Sequence, residues 1–131
     1  MKYDAEVRAA IARWAPGLDP ALVHAVIQKE SSHVKLITSE PGNRFSYGPM
    51  MVLDSTARGM GASNPAALMV PAVGIDYGVR YLADMIRRFP GDSSRAISAY
   101  NTGPGNAVRN AAGRFPNQDY VTKVLGFWKL Y

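Results

Sequence analysis

The chain has 131 residues and no cysteine, which suits one domain and excludes disulfides and thiolate metal sites. Hydrophobic residues make up 47% and charged ones 19%, enough apolar material for a buried core and unlike a disordered chain. The net charge of +5 favours acidic partners such as nucleic acid, an anionic lipid surface or an anionic polysaccharide, but the basic residues are scattered and only Arg87-Arg88 are adjacent. A nucleic-acid reader more often carries a clustered basic stripe.

In chain order, residues 4–14 read as a first helix with Val7, Ala10, Ile11 and Trp14 on one face. This start lacks the apolar core of a signal peptide, and no stretch is apolar enough to span a bilayer. "APGLDP" at 15–20 is a turn, in which Asp19 is a good N-cap and Pro20 a good first helical residue, so a second helix runs from 20 to about 31. From 35 to 49 the helical period is lost in a segment rich in Gly, Pro, Ser and Asn, which reads as a long surface loop with room for a small hairpin. A loop this long in a compact domain is more often functional than idle.

"SNPAALMV" suggests a short helix capped by Ser63 or Asn64. Pro71 opens the strongest helix, to about Phe89, with Ile75, Val79, Leu82, Ile86 and Phe89 in one stripe. Another short helix, "DSSRAISAYN", is stopped by "TGPG"; a weaker one is expected over 106–112; the last begins near Asn117 and turns Val121, Val124, Leu125 and Trp128 inward. The expected fold is all-α or mostly α, one domain over residues 1–131 with several short helices around a central long one.

Glu30 stands where the stripe of Val23, Val26 and Ile27 calls for an apolar residue. Desolvation and the negative end of the helix dipole both disfavour its charged form and raise its pKa. A carboxyl group that keeps its proton near neutral pH can act as a general acid; a frayed helix end with Glu30 facing water is the bland alternative. In "AISAYNTGPGNAV", 96–108, the helix break leaves Tyr100 and Asn101 at a helix end, able to face a cleft or simply to pack and cap. "SYGPMM", 46–51, is a forced turn followed by two methionines, suited to adaptable apolar contacts or to core filling.

Together and in this order, these stretches resemble the lytic transglycosylase domain of the soluble-lytic-transglycosylase type, within the lysozyme-like superfamily that includes goose-type lysozymes. The family's helix-ending Glu-Ser is Glu30-Ser31 here, its loop serine falls at Ser39, and its Gly-Leu-Met-Gln motif reads Gly48-Pro49-Met50-Met51. Its Ala-Tyr-Asn-x-Gly-Pro-Gly motif is present as Ala99-Tyr100-Asn101-Thr102-Gly103-Pro104-Gly105, and its closing Tyr-Val with a later Val as Tyr120-Val121 and Val124. The chain departs from the family at Met51 for Gln, at Pro49 for Leu, at His33 where an aromatic often stands, and in a longer loop before Gly48.

The resemblance implies a lysozyme-like fold and cleavage of the β-1,4 bond between N-acetylmuramic acid and N-acetylglucosamine. Glu30 would be the single acid and then base, and the muramic C6 hydroxyl would close on C1 to give a 1,6-anhydro end. Tyr100 would hydrogen-bond near Glu30; Asn101, Ser39 and Met50 would line sugar sites, with Tyr120 on the cleft wall. No metal or organic cofactor is implied. The partner would be peptidoglycan glycan strands, met by a monomer without nucleic acid or membrane insertion. Lysozyme-type hydrolysis, with Glu40 and Asp54 as the loop-side carboxylates, stays open, as do a non-catalytic glycan-binding or virion module and a basic nucleic-acid binder. With no signal peptide, the chain reads as a phage lysin, held in the host cytoplasm or carried on the virion and acting on the wall from the periplasm.

Overall fold

The computed structural model describes all 131 residues. Helix α1 spans Asp4–Trp14 and α2 spans Pro20–Ser31. The Asp19 carboxylate accepts the Ala21 amide at 2.9 Å, so the cap and the proline at the first turn start α2 where the sequence places it. The other Asp19 oxygen accepts the Trp128 indole N–H at 3.0 Å and ties this cap to the last helix. Helix α2 stops because Ser32 and His33 both adopt left-handed backbone, at φ 55° and 58°.

The segment read as a loop folds into an antiparallel sheet of three short strands in the order β1 (Ile37–Glu40), β2 (Arg44–Tyr47) and β3 (Val52–Leu53). Its register pairs Thr38 with Ser46, Ser39 with Phe45 and Glu40 with Arg44. Since side chains alternate along a strand, Thr38, Glu40, Arg44 and Ser46 share one face, and Ser39 and Phe45 share the other. The turn into β3 holds Gly48 at φ 84°, where a methyl group would lie 2.5 Å from the Leu68 carbonyl oxygen. Only glycine allows that approach.

Helix α3 spans Asp54–Gly59, and a 3-10 segment over Pro65–Met69 precedes the central helix α4, Pro71–Arg88. Helix α5 is Ser93–Thr102 and α6 is Gln118–Leu130. Helices α1 and α5 pack on α4, and α2 packs on α6. Ile75, Val79 and Leu82 of α4, Val23, Val26 and Ile27 of α2, and Val121 and Val124 of α6 meet in one core. The fold is mostly α with a small sheet, as expected.

Two local expectations need correction, and one helix is unannounced in the sequence. The helix expected over 106–112 is a 3-10 turn at Pro104–Asn106 followed by irregular chain, because the Asn110 side chain accepts the amides of Ala112 at 2.9 Å and Arg114 at 3.0 Å and offers the backbone a turn instead. The short helix expected over "SNPAALMV" is present as a 3-10 segment over Pro65–Met69, but neither Ser63 nor Asn64 caps it with a side chain. Helix α3 has only six residues, too few to show a period, and its N-terminus has no side-chain cap to announce it.

Candidate active site

The Glu30 carboxyl group opens into a groove of about 450 Å³ at the C-terminal end of α2. The hairpin face with Glu40, Arg44 and Ser46 forms one wall, and the end of α5, with Asn101, Thr102 and Gly103, forms another. Tyr100, Tyr81, Met51, Val52 and Thr56 are among the other residues that line it.

Glu30 is half-buried, and the Tyr120 hydroxyl donates to its Oε2 at 2.7 Å. Burial pushes its pKa up to about 7; the Tyr120 hydrogen bond and the Lys29 charge pull the other way, and the Glu40 charge adds to the rise. At neutral pH a large share of this group therefore holds a proton. Tyr120 lies behind it, buried on α6, with the Lys29 ammonium 5.6 Å from its ring centroid. Burial, and then the Glu30 charge, raise the Tyr120 phenol well above its usual range, so it stays a donor.

The two tyrosines exchange the places expected for them. Tyr100 borders the groove, but its hydroxyl donates to the Met50 carbonyl at 2.6 Å, not to Glu30. It fastens α5 to the turn before β3, and Tyr120 supplies the phenol that holds the acid. Met50 does not line the groove: its side chain is fully buried against α4, in space left by Gly78, where a methyl group would lie 2.5 Å from the Met50 Sδ. Its neighbour Met51, in left-handed backbone at φ 48°, faces the groove instead. Ser39 is exposed on the hairpin face that turns away, and Ser46 takes the groove side.

Asn101 reaches the groove, with its side-chain oxygen accepting the Asn117 amide at 2.9 Å. Asn117 also receives the Ser98 hydroxyl at 2.6 Å, so α6 braces the end of α5. Of the two loop-side carboxylates, Glu40 lines the groove and Asp54 does not; Asp54 accepts the Ser55 amide at 2.7 Å and the Phe45 amide at 3.4 Å. No three His, Asp or Glu side chains gather as a metal site would need. The buried His24 and His33 bring their Nδ1 and Nε2 to 3.2 Å, and neither lines the groove.

A family model, Transglycosylase SLT domain, matches residues 9–121. The chain belongs to this family. The fold of this SLT domain is similar to that of lytic transglycosylase Slt from Pseudomonas aeruginosa, seen in an X-ray structure of an inactive mutant with glutamine in place of a glutamate. The TM-score is 0.78 at 23% identity over 100% of this chain. The chain spans 24% of the length of that protein. No helix of the SLT domain is long and apolar enough to cross a membrane.

Arg44 and Ser46 are groove residues that the sequence reading did not single out. Strand alternation from Glu40 through the register would have placed both on its face. Tyr81 and Thr56 come from α4 and α3, and no local pattern marks them as neighbours of Glu30.

Proposed function

We propose that this SLT domain cleaves the β-1,4 bond between N-acetylmuramic acid and N-acetylglucosamine in peptidoglycan, with Glu30 as acid and then base. The observation that carries this is a half-buried carboxyl group with a pKa of about 7, gripped by a buried phenol at 2.7 Å and open to a groove. Protonated Glu30 donates to the glycosidic oxygen as the bond to C1 breaks and positive charge spreads over C1 and the ring oxygen. The carboxylate left behind is then the base. It takes the proton of the muramic C6 hydroxyl as that oxygen closes on C1, giving a 1,6-anhydro end without water. The inactive glutamate-to-glutamine mutant of Slt accords with a reaction that hangs on one carboxyl group.

Residues 1–131 then form one catalytic domain that acts as a monomer. Asn101 and Met51 contact sugar from the α5 and hairpin sides. The net charge of +5 suits an anionic wall. Delivery as a phage lysin belongs to the same proposal; its test is whether the protein, expressed inside a bacterium, lyses the cell only when a holin that opens the inner membrane is co-expressed.

The deciding experiment digests purified peptidoglycan with the wild-type protein and with Glu30→Gln, and reads the muropeptides by mass spectrometry. Anhydro ends, lighter by one water than hydrolysed ends, are expected from the wild type, and neither kind of end from the variant. A Glu30→Gln protein that releases ends at the parental rate would remove Glu30 from the mechanism.

A further inference from the structure

The hairpin brings a second carboxylate into the groove. Glu40 lies on the same face as Ser46 and Arg44, and all three line the groove with Glu30. The buried Ser46 hydroxyl donates to Glu40 Oε1 at 3.0 Å, which holds the carboxylate in one orientation. Glu40 Oε2 has no hydrogen-bond partner in the protein. Arg44 is directly opposite in the strand register, yet the two form no ion pair; the Arg44 Nε donates to the Pro41 carbonyl at 3.2 Å instead. A carboxylate on a hairpin beside an arginine would be an ordinary surface pair if the two met. Here it is held by Ser46, forms no ion pair, and lines the same groove as the acid, close enough for its charge to act on Glu30.

We propose that Glu40 is a second catalytic carboxylate, which directs a water molecule onto C1 so that the domain releases hydrolysed ends as well as anhydro ends. The inference rests on the Glu30 reading above and adds a second nucleophile to it. In this branch the water oxygen bonds to C1 as the C1–O4 bond breaks. The Glu30 proton goes to O4, and the proton lost by water goes to the Glu40 carboxylate. Solvent then returns a proton to Glu30 and removes the one on Glu40. Water is the only co-reactant. The C6 hydroxyl and the water compete for the same carbon, and the position of Glu40 sets how often water wins. Asp54 cannot take this part, because its oxygens are engaged by backbone amides outside the groove. Ser46 is a positioning residue that acts through Glu40.

The test digests peptidoglycan in water enriched in oxygen-18, reduces the products at once with borohydride and measures hydrolysed and anhydro ends in the same sample. The wild type is expected to give both, with one heavy oxygen at C1 of each hydrolysed end. Glu40→Gln is expected to lower the ratio of hydrolysed to anhydro ends by about a hundredfold, the usual worth of a positioned base. Ser46→Ala, which leaves the carboxylate in place but free to turn, is expected to lower the same ratio several-fold. Because the ratio is internal to one sample, partial unfolding of a variant does not move it. Only anhydro ends from the wild type, or an unchanged ratio in Glu40→Gln, would overturn the role of Glu40 and leave the Glu30 reading standing. Absence of both kinds of end from the wild-type digest would sink both.

Discussion

Tyr120 on α6 donates its hydroxyl to Glu30 Oε2 on α2 at 2.7 Å, joining residues 90 positions apart. That hydrogen bond favours the ionised carboxylate and so opposes burial, which favours the protonated acid. Tyr120→Phe removes the opposing contribution and leaves burial and the Glu40 charge in place. The Glu30 pKa then rises further, and the alkaline limb of the pH–rate profile moves to higher pH. Loss of the orienting contact is expected to lower the rate on the plateau by roughly tenfold. Wall-clearing rates across pH 5 to 9, with circular dichroism to confirm the fold, check this. A limb that stays put would leave Tyr120 as packing only.

Glu30 itself links activity to stability. Its pKa is raised in the folded chain from an ordinary 4.5 to about 7, so between those values the folded state holds more proton than the unfolded state. The stability tied to this proton is full below pH 4.5 and is lost as pH rises through 7. Glu30→Gln cannot ionise and escapes that loss. Above pH 7 the variant is expected to be more stable than the parent by roughly 2–3 kcal/mol, while activity falls by at least about a hundredfold. Near pH 4 the two proteins should unfold together. Thermal melts at pH 4 and pH 8 provide the check; equal melting at both would mean the acid is as well solvated folded as unfolded.

Much of this site could be read from residues that act locally. Asp19 and Pro20 start α2 by satisfying its first amides, and the stripe of Val23, Val26 and Ile27 aims Glu30 at the core. Those are effects within one or two turns of chain. The partners of Tyr100 and Tyr120 are set by how α5 and α6 land on distant elements, and nothing in "AYN" or "DYV" tells which phenol meets the acid. In the hairpin the outcome turns on parity. One residue of register separates Ser39 from the groove side, and the left-handed turn at Met51 puts Met50 in the core and Met51 on the surface of the groove. Motif spacing carries the order of these residues but not which way each one faces.

The histidine pair makes an acid-labile contribution to the fold, opposite in sign to that of Glu30. Asp4 Oδ1 lies 3.1 Å from the His24 Nε2, the His24 Nδ1 lies 3.2 Å from the His33 Nε2, and the His33 Nδ1 lies 3.0 Å from the Gln28 Oε1. This chain joins the start of α1 to the left-handed turn that ends α2. Burial is the main cause that lowers the His33 pKa, followed by the neighbouring His24, Lys2 and the N-terminal amine. The unfolded chain therefore takes up a proton at this residue before the folded chain does. The stabilising contribution of neutral His33 is complete above its ordinary value of 6.5 and is lost as pH falls through the lowered one. Because Glu30 stabilises the fold over the same window as pH falls, the effect is read in a Glu30→Gln background: there the melting temperature should drop between pH 7 and pH 5, and a further His33→Asn change should flatten that slope at some cost in stability at pH 7. A variant with the parental slope would assign the acid lability to other groups.

Tyr100→Phe separates the second phenol from the first. The change strands the Met50 carbonyl, which accepts the Tyr100 hydroxyl at 2.6 Å in a buried setting. A buried acceptor left without its donor costs about 1–3 kcal/mol. The variant should unfold at lower urea, yet its pH–rate profile should keep its shape, since this hydroxyl is not bonded to Glu30. A shift of the alkaline limb equal to that of Tyr120→Phe would show that both phenols act on the acid.

Gly78→Ala tests the support beneath the groove. The added methyl would lie 2.5 Å from the Met50 Sδ and 2.6 Å from the Met50 Cβ. The sulfur can swing aside, but the Cβ moves only with the backbone of the turn, and that backbone is fastened by Tyr100 and continues directly into Met51. Overpacking of this kind costs about 1–3 kcal/mol. The strain would be relieved by pushing Met51 toward the sugar site, so KM for soluble glycan fragments should rise more than kcat falls. Loss of stability with unchanged kinetics would mean that α4 gives way instead of the turn.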